Sequence, residues 1–395
     1  MTYYLLPSSQ LTLFNHINIK YSENVPEIYL SHSLSHYLNT IKEKITNNEL
    51  EWDNTKRYTN PYEYIHSIIP EKNRCISKYK PLSRSYFKMV EIVKLFNLLE
   101  NYNHQNIETF HLAEGPGGFI EALVNIRKNH KDTYYGMTII DHKHDDNIPS
   151  WKKSQAFLRN NQNVVIENGA AKNGDLLDIR NFVSNYNKYK HSMDIITADG
   201  GFDFSENFNH QEINIHRLLF AQICHAIIMQ NYKGSFVLKI FDCFRNATID
   251  LLYILSSLYE KVYIVKPHTS RYGNSEKYIV CKYFRYSKTQ HQPILKSIYN
   301  KLHQMMQAML NNTKDYIHRF IDIDISSFFL NKIQEYNAIF GQQQLENIAY
   351  TLSLLRDRTT DEKKHSLVRN NIIKCIHWCE KYNVSINTIP GILVR

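Results

Sequence analysis

This 395-residue chain is poor in cysteine and has no CxxC pair; Cys75, Cys224, Cys243, Cys281, Cys375 and Cys379 are scattered through apolar or helical surroundings. That argues against a disulfide framework and for a reducing compartment. In the one cluster, Cys375-Ile376-His377-Trp378-Cys379, a metal would need a fourth ligand, and only Cys375 and Cys379 share a helical face. It reads as a buried helix, not as a metal site. No apolar run approaches the roughly 20 residues that cross a bilayer. The opening "MTYYLLPSSQLTLF" lacks a basic stretch followed by a long apolar one, so it does not read as a secretory signal. The expectation is a soluble, intracellular, cytoplasmic protein with no membrane contact. The GxGxxG of dinucleotide sites and the GK[ST] of phosphate-binding loops are also missing, as are internal repeats and low-complexity tracts.

Positive charge is in excess. Lysine and arginine number 47 against 38 acidic residues, a net charge of +9, which favours a polyanionic partner, nucleic acid before membrane surface. Hydrophobic residues at 43% suffice for a core, and the length suits two or three units or one core with extensions. Residues 1–80 read as an N-terminal extension, mixed aromatic and polar. Residues 81–286 read as the main domain. Residues 287–395 read as helical, with "ILKSIYNKLHQMMQAML" amphipathic and "ENIAYTLSLLR" apolar on one face.

In the middle segment the periodicity sharpens. "SRSYFKMVEIVKLFNLLE" carries Phe87, Val90, Val93 and Phe96 at helical spacing. A strand at Ile107 to Leu112, a glycine-rich turn and a helix from about Phe119 follow. "TYYGMTIID" reads as a second strand ending at Asp141, "NVVIENGAAKNGDLLD" carries a third, and "SMDIITADGGFD" a fourth ending at Asp199. Next come a helix over Gln211 to Gln230, the strand "GSFVLKIFD", the helix "TIDLLYILSSLYE", and the strands "KVYIVKP" and "EKYIVCKYF". Alternating strand and helix predict a doubly wound α/β sheet. The last two strands lie too close for a crossover helix, so one must run antiparallel to the rest.

The first chemical constellation is Glu114-Gly115-Pro116-Gly117-Gly118-Phe119, between a strand and a helix. Glycines there let backbone approach a ligand at the carboxyl edge of the sheet. Pro116 removes an N–H from any phosphate cradle, so the loop suits a ligand with little phosphate, such as S-adenosylmethionine; the alternative is an ordinary tight turn. Asp141 either holds ribose hydroxyls at the end of its strand, or caps a helix, or belongs to a solvated acidic patch with Asp145 and Asp146. Asp175 either accepts from an adenine amino group or caps the helix that follows it.

The second constellation is Lys88, Asp199, Lys239 and Glu276. Ionisable residues in apolar strands are costly unless paired, and a structural salt bridge is the plain explanation. Methyl transfer to a hydroxyl supplies another. A base must take the proton as the oxygen attacks in line with the leaving group, and a lysine serves if neighbouring cations favour its neutral form.

"SRSYFKMVEI", "LAEGPGGFIEAL", "ITADGGFDFS", "GSFVLKIFD" and "TSRYGNSEKYIVCKYF", from about 83 to 285, together resemble the FtsJ (RrmJ) ribose 2′-O-methyltransferases. The wording is most similar to eukaryotic and large-DNA-virus mRNA cap methyltransferases. One departure is the loop itself, where the usual D/C-A-x-P-G-G-F reads "AEGPGGF". The resemblance implies a Rossmann-like methyltransferase domain with S-adenosylmethionine as cofactor. It carries the family's Lys-Asp-Lys-Glu tetrad onto Lys88, Asp199, Lys239 and Glu276, with Lys239 as general base. Glu114 to Phe119, Asp141, Asp175 and Asp199 become the cofactor site. It implies RNA, most of all 5′-capped mRNA, as substrate, a place near capping or transcription machinery, and a viral factory in host cytoplasm, or the virion, as one setting. Methylation of an uncapped structured RNA and a silent RNA-binding scaffold are the alternatives; oligomeric state stays open. Arg84, Arg245, Lys266, Arg271 and Lys277 are candidate phosphate contacts or solvated charges. With 28 tyrosines and 19 phenylalanines, aromatic content singles out no base-stacking pocket.

Overall fold

Strand β1 (Thr2–Leu5), the first element, is also the edge of the main sheet, and strand β2 (Ile17–Ser22) and helices α1 (His32–Thr46) and α2 (Glu49–Thr59) follow it. The computed structural model describes residues 2–9, 15–46, 49–140, 150–201, 210–356 and 360–389. The central part alternates as its sequence periods require. It runs α3 (Ser85–Leu95), β3 (Glu108–Leu112), α4 (Gly118–Arg127), β4 (Thr133–Met137), α5 (Gln155–Asn160), β5 (Val164–Ile166), α6 (Ile179–Tyr189) and β6 (Met193–Ala198). It continues with α7 (Gln211–Met229), β7 (Gln230–Ile240), α8 (Asn246–Leu258), β8 (Tyr259–Lys266) and β9 (Lys277–Phe284). The chain then adds α9 (Gln292–Asn311), β10 (Tyr316–Ile321), α10 (Ser327–Arg356) and α11 (Asp361–Tyr382).

Eight strands form one sheet in the order β1-β8-β9-β7-β6-β3-β4-β5. Strands β3 to β7 pair in parallel, while β9 runs antiparallel to both β7 and β8. The expected Rossmann-like α/β architecture and its antiparallel strand are therefore present. The central strands are buried on both faces, which is why they read as near-continuous apolar runs. Alternation divides their side chains between two cores. Phe236, Leu238, Ile279 and Cys281 join the core that includes α7, α8, α9 and β10. Val237, Val280, Tyr278 and Ile195 join the core under α3, α4 and α11. The second face carries the chemistry, because Lys239 is two residues beyond Val237 and so shares its side of β7.

Three sequence readings are revised. The segment 287–395 is not wholly helical: β10 pairs antiparallel with β2 in a separate two-stranded sheet, with register shifts at Ile317/Arg319 and Arg319/Ile321. The second central strand ends at Met137, short of Asp141, which lies outside the described residues. The N-terminal segment contributes to both sheets, β1 pairing with β8 and β2 with β10. As read from the sequence, Cys375 and Cys379 are buried on α11. Among the described residues no helix is long and apolar enough to cross a membrane.

The extra strand is fastened to the core by a buried carboxylate. Asp250, fully buried on α8, accepts from Arg319 Nε at 2.8 and 3.1 Å and from the Phe320 backbone N–H at 2.7 Å. Removing one member of such a pair strands the other charge. Asp250→Ala is expected to cost about 3–5 kcal/mol and to lower the thermal midpoint clearly. Asp250→Leu combined with Arg319→Met should recover part of that loss.

Candidate active site

The tetrad assembles at the carboxyl edge of the parallel strands. Asp199 directly follows β6, and Lys239 lies one residue before the end of β7. Lys239 Nζ donates to the Asp199 backbone carbonyl at 2.6 Å and pairs with its carboxylate at 3.3 Å. From α3 above this face, Lys88 pairs with Glu276 at 2.6 Å, and both side chains are nearly dry. Burial alone would raise the Glu276 carboxyl, but Lys88, Lys239 and Arg84 hold it well below the usual carboxylate range. Burial and Arg84 lower Lys88 in turn, against the pull of Glu276 and Asp199, and the short contact between the two favours the ionised pair. All four residues anticipated from the sequence are brought together.

Two further residues complete the set. The Tyr278 hydroxyl donates to Asp199 Oδ1 at 3.0 Å, from the position on β9 directly opposite Lys239. Ser270 Oγ donates to Glu276 Oε1 at 2.9 Å. Neither stands out in the sequence, because strand register creates the first contact and a loop closure the second. The loop before Glu276 is itself tied to α3. Glu91, one turn on from Lys88, accepts from the backbone N–H groups of His268 and Thr269 and from Thr269 Oγ1. Burial pushes Glu91 up to about 7 despite those bonds.

At the glycine loop, Gly117 has φ +105°, a left-handed backbone, and precedes α4. A Cβ there would lie 3.2 Å from the Trp151 ring. Glu114 proves to be a helix cap: Oε1 accepts from Phe119 N–H at 2.6 Å and Ile120 N–H at 3.3 Å. Its Oε2 is buried without a partner among the described residues. Burial and the nearby Asp199 carboxylate push Glu114 well above the ordinary range, against the opposing pull of those N–H groups and Lys239. A buried acid with one unused oxygen beside the glycine loop fits a cationic ligand such as the ammonium or sulfonium of S-adenosylmethionine. Asp175 accepts from Leu177 N–H at 2.9 Å, but the cap of α6 is Asp178, which accepts from Arg180 N–H. The capping explanation for Asp175 therefore does not hold.

A cleft of about 720 Å³ opens over Lys239 and Glu276. The N-terminal segment lines it with Lys42, Trp52 and Asp53, and α10 with Gln344 and Asn347. Lys42 anchors α1 to the catalytic strand through Asp242, at 3.3 Å. Of the basic residues singled out earlier, Arg84 and Arg271 line the cleft. Lys266 is buried against Asn274 and the Glu276 carbonyl, Lys277 against the Ser275 carbonyl and Asp242, and Arg245 against the Pro26 carbonyl. These three are structural ties, not phosphate contacts.

The FtsJ-like methyltransferase model matches residues 81–284. The cap-specific mRNA (nucleoside-2′-O-)-methyltransferase 2 of Danio rerio is 28% identical over 355 residues, 84% of this chain and 44% of the relative. Its Pongo abelii counterpart is 26% identical over 349 residues, 85% of this chain and 43% of the relative. The inactive cap-specific mRNA (nucleoside-2′-O-)-methyltransferase 1B of Caenorhabditis briggsae is 25% identical over 343 residues, 81% of this chain and 39% of the relative. The chain spans less than half the length of each of these three relatives.

One contact at the cleft wall has a pH signature. Glu63 accepts from Arg271 Nε at 2.9 Å and Nη2 at 2.6 Å. Burial would raise its carboxyl, yet Arg271, His66 and Ser67 lower it from 4.5 to about 2. A depressed folded-state value means that the stabilisation is complete above 4.5 and disappears as pH falls towards 2. Glu63→Gln should cost about 3 kcal/mol at neutral pH. The gap between the two proteins in denaturant midpoint should close as pH drops through that window.

Proposed function

This chain belongs to the FtsJ-like methyltransferase family, and on that premise we propose that it is an S-adenosylmethionine-dependent RNA methyltransferase acting on a ribose 2′-hydroxyl of 5′-capped mRNA. The observation that carries the reading is the tetrad. Lys239 is held by Asp199 at one end of a cleft, and the buried Lys88–Glu276 pair stands against them. Family membership alone is not enough, since one relative is named inactive. A scaffold has no need of two buried ion pairs converging on one cleft, so the complete set supports catalysis.

When bound, the cofactor supplies a methyl group on a cationic sulfur. Gly115 to Phe119 would line its methionine part, with the unused Glu114 oxygen available to its ammonium and Asp175 to its adenine. Asp141, which lies outside the described residues, is proposed for the ribose hydroxyls. Acting as a neutral amine, Lys239 would take the proton of the ribose 2′-hydroxyl at Nζ, so that the oxygen can receive the methyl group. Asp199, fixed by Tyr278, orients the lysine, and Glu276, fixed by Lys88 and Ser270, faces the acceptor. The cap is supported by the names of the relatives; Trp52 and Asp53 line the cleft, but Trp52 is largely packed with Ile45 and Ile348 and Asp53 pairs with Lys56.

Methyl transfer should be compared on m7G-capped, unmethylated-capped and uncapped RNA. Label confined to capped RNA is the expected result; label on uncapped structured RNA would replace the cap reading, and none on any RNA would favour a scaffold. Lys239→Ala should reduce kcat by about 10²–10⁴-fold while calorimetry finds cofactor affinity nearly intact. Near-normal turnover in that variant would remove Lys239 as the base.

A further inference from the structure

Arg84 lines two cavities. One is the cleft over Lys239 and Glu276; the other is a groove of about 620 Å³ that shares Arg84 with it. The two differ in charge pattern. The cleft mixes cations with Asp53 and Glu276, whereas the groove is lined by Arg74, Lys78, Lys80 and Arg84 and, among the described residues, by no carboxylate. Those four cations fall within the eleven residues from Arg74 to Arg84, a stretch with no acidic residue. His66, also in the lining, adds no charge at neutral pH, because burial lowers it to about 4.

The groove is built on a fixed backbone. Ile76 and Ser77 N–H groups donate to the Tyr64 and Ile65 carbonyls, Lys78 N–H donates to the Ser385 carbonyl, and Ser77 forms an isolated bridge with Ile386. Glu121 on α4 then receives the Tyr79 hydroxyl at 2.7 Å and the Leu82 N–H at 2.8 Å. Tyr79 is thereby anchored by its polar tip, yet 38% of it remains exposed between Lys78 and Lys80. Regularly placed cations around an anchored, exposed ring suit a single-stranded phosphodiester chain with stacked bases.

We infer that this groove binds the RNA on the 3′ side of the methylated nucleotide, with Lys78 and Lys80 on its phosphates and Tyr79 under a base. The inference rests on the RNA-acceptor reading above. The acid-bearing cleft suits the modified 5′ end, and the acid-free groove suits the repeating anion that leads away from it.

The test uses the full chain and the double variant Lys78→Ala/Lys80→Ala, whose side chains are exposed. Binding of capped RNAs about two and about ten nucleotides long is followed by fluorescence anisotropy over a salt series, without cofactor. For the longer RNA the variant should bind roughly tenfold more weakly at low salt, with a log–log salt slope flatter by about 1.4. In wild type, kcat/KM should favour the longer RNA, and that preference should shrink in the variant. Equal losses on both lengths, or no change in slope, would overturn the inference, and the second result would leave the groove to a protein partner. Because binding is read without turnover, absence of methyl transfer on every RNA would sink the enzymatic reading and still leave the groove to be judged on its slope.

Discussion

Lys88 and Glu276 meet at 2.6 Å almost without water, and the two come from distant parts of the sequence. An isolated buried charge is unstable enough that each residue dictates where the other must be. Once they meet, α3 is fixed across the sheet face, and the loop before β9 is fixed with it through Glu91 and Ser270. That loop delivers Tyr278 to Asp199, and Asp199 holds Lys239. The active-site geometry is a chain of such dependencies, with no link made by a flexible surface residue.

Parts of this were visible in the sequence and parts were not, for reasons that differ by residue. Asp199 and Lys239 stand out because a charge within or at the end of an apolar strand demands an explanation. Lys88 does not. It lies in an ordinary-looking helix, and only the resemblance to a known family marks it, because α3 is buried along nearly its whole length and has no polar stripe to contrast with. Lys266, Lys277 and Arg245 look the same in sequence as Arg84, and only tertiary contacts separate structural ties from cleft residues. β10 escaped because its register shifts break the period-two pattern by which a strand is recognised. The role of Glu114 as a cap was hidden for another reason: the bonds run five and six residues forward across the glycine loop.

The segments outside the family match do more than decorate it. Lys42 ties α1 to the end of β7, Thr59 meets Thr351 at 2.7 Å, and Asn371 reaches the Tyr58 carbonyl. Together the N-terminal helices and α10 line the cleft that also takes in Lys239 and Glu276. The groups are divided accordingly: the sheet edge carries the paired charges, and the added segments bring aromatic, amide and cationic side chains to the cleft.

The pairing of β2 with β10 also bears on how the molecule is made. Residues 17–22 leave the ribosome about three hundred residues before 316–321, their strand partner among the described residues. Such distant pairing is slow to form and leaves the early strand uncovered meanwhile. The alternation of Ile17 and Ile19 with Asn18 and Lys20 gives that waiting segment one polar face, which limits its tendency to find other strands before its own arrives.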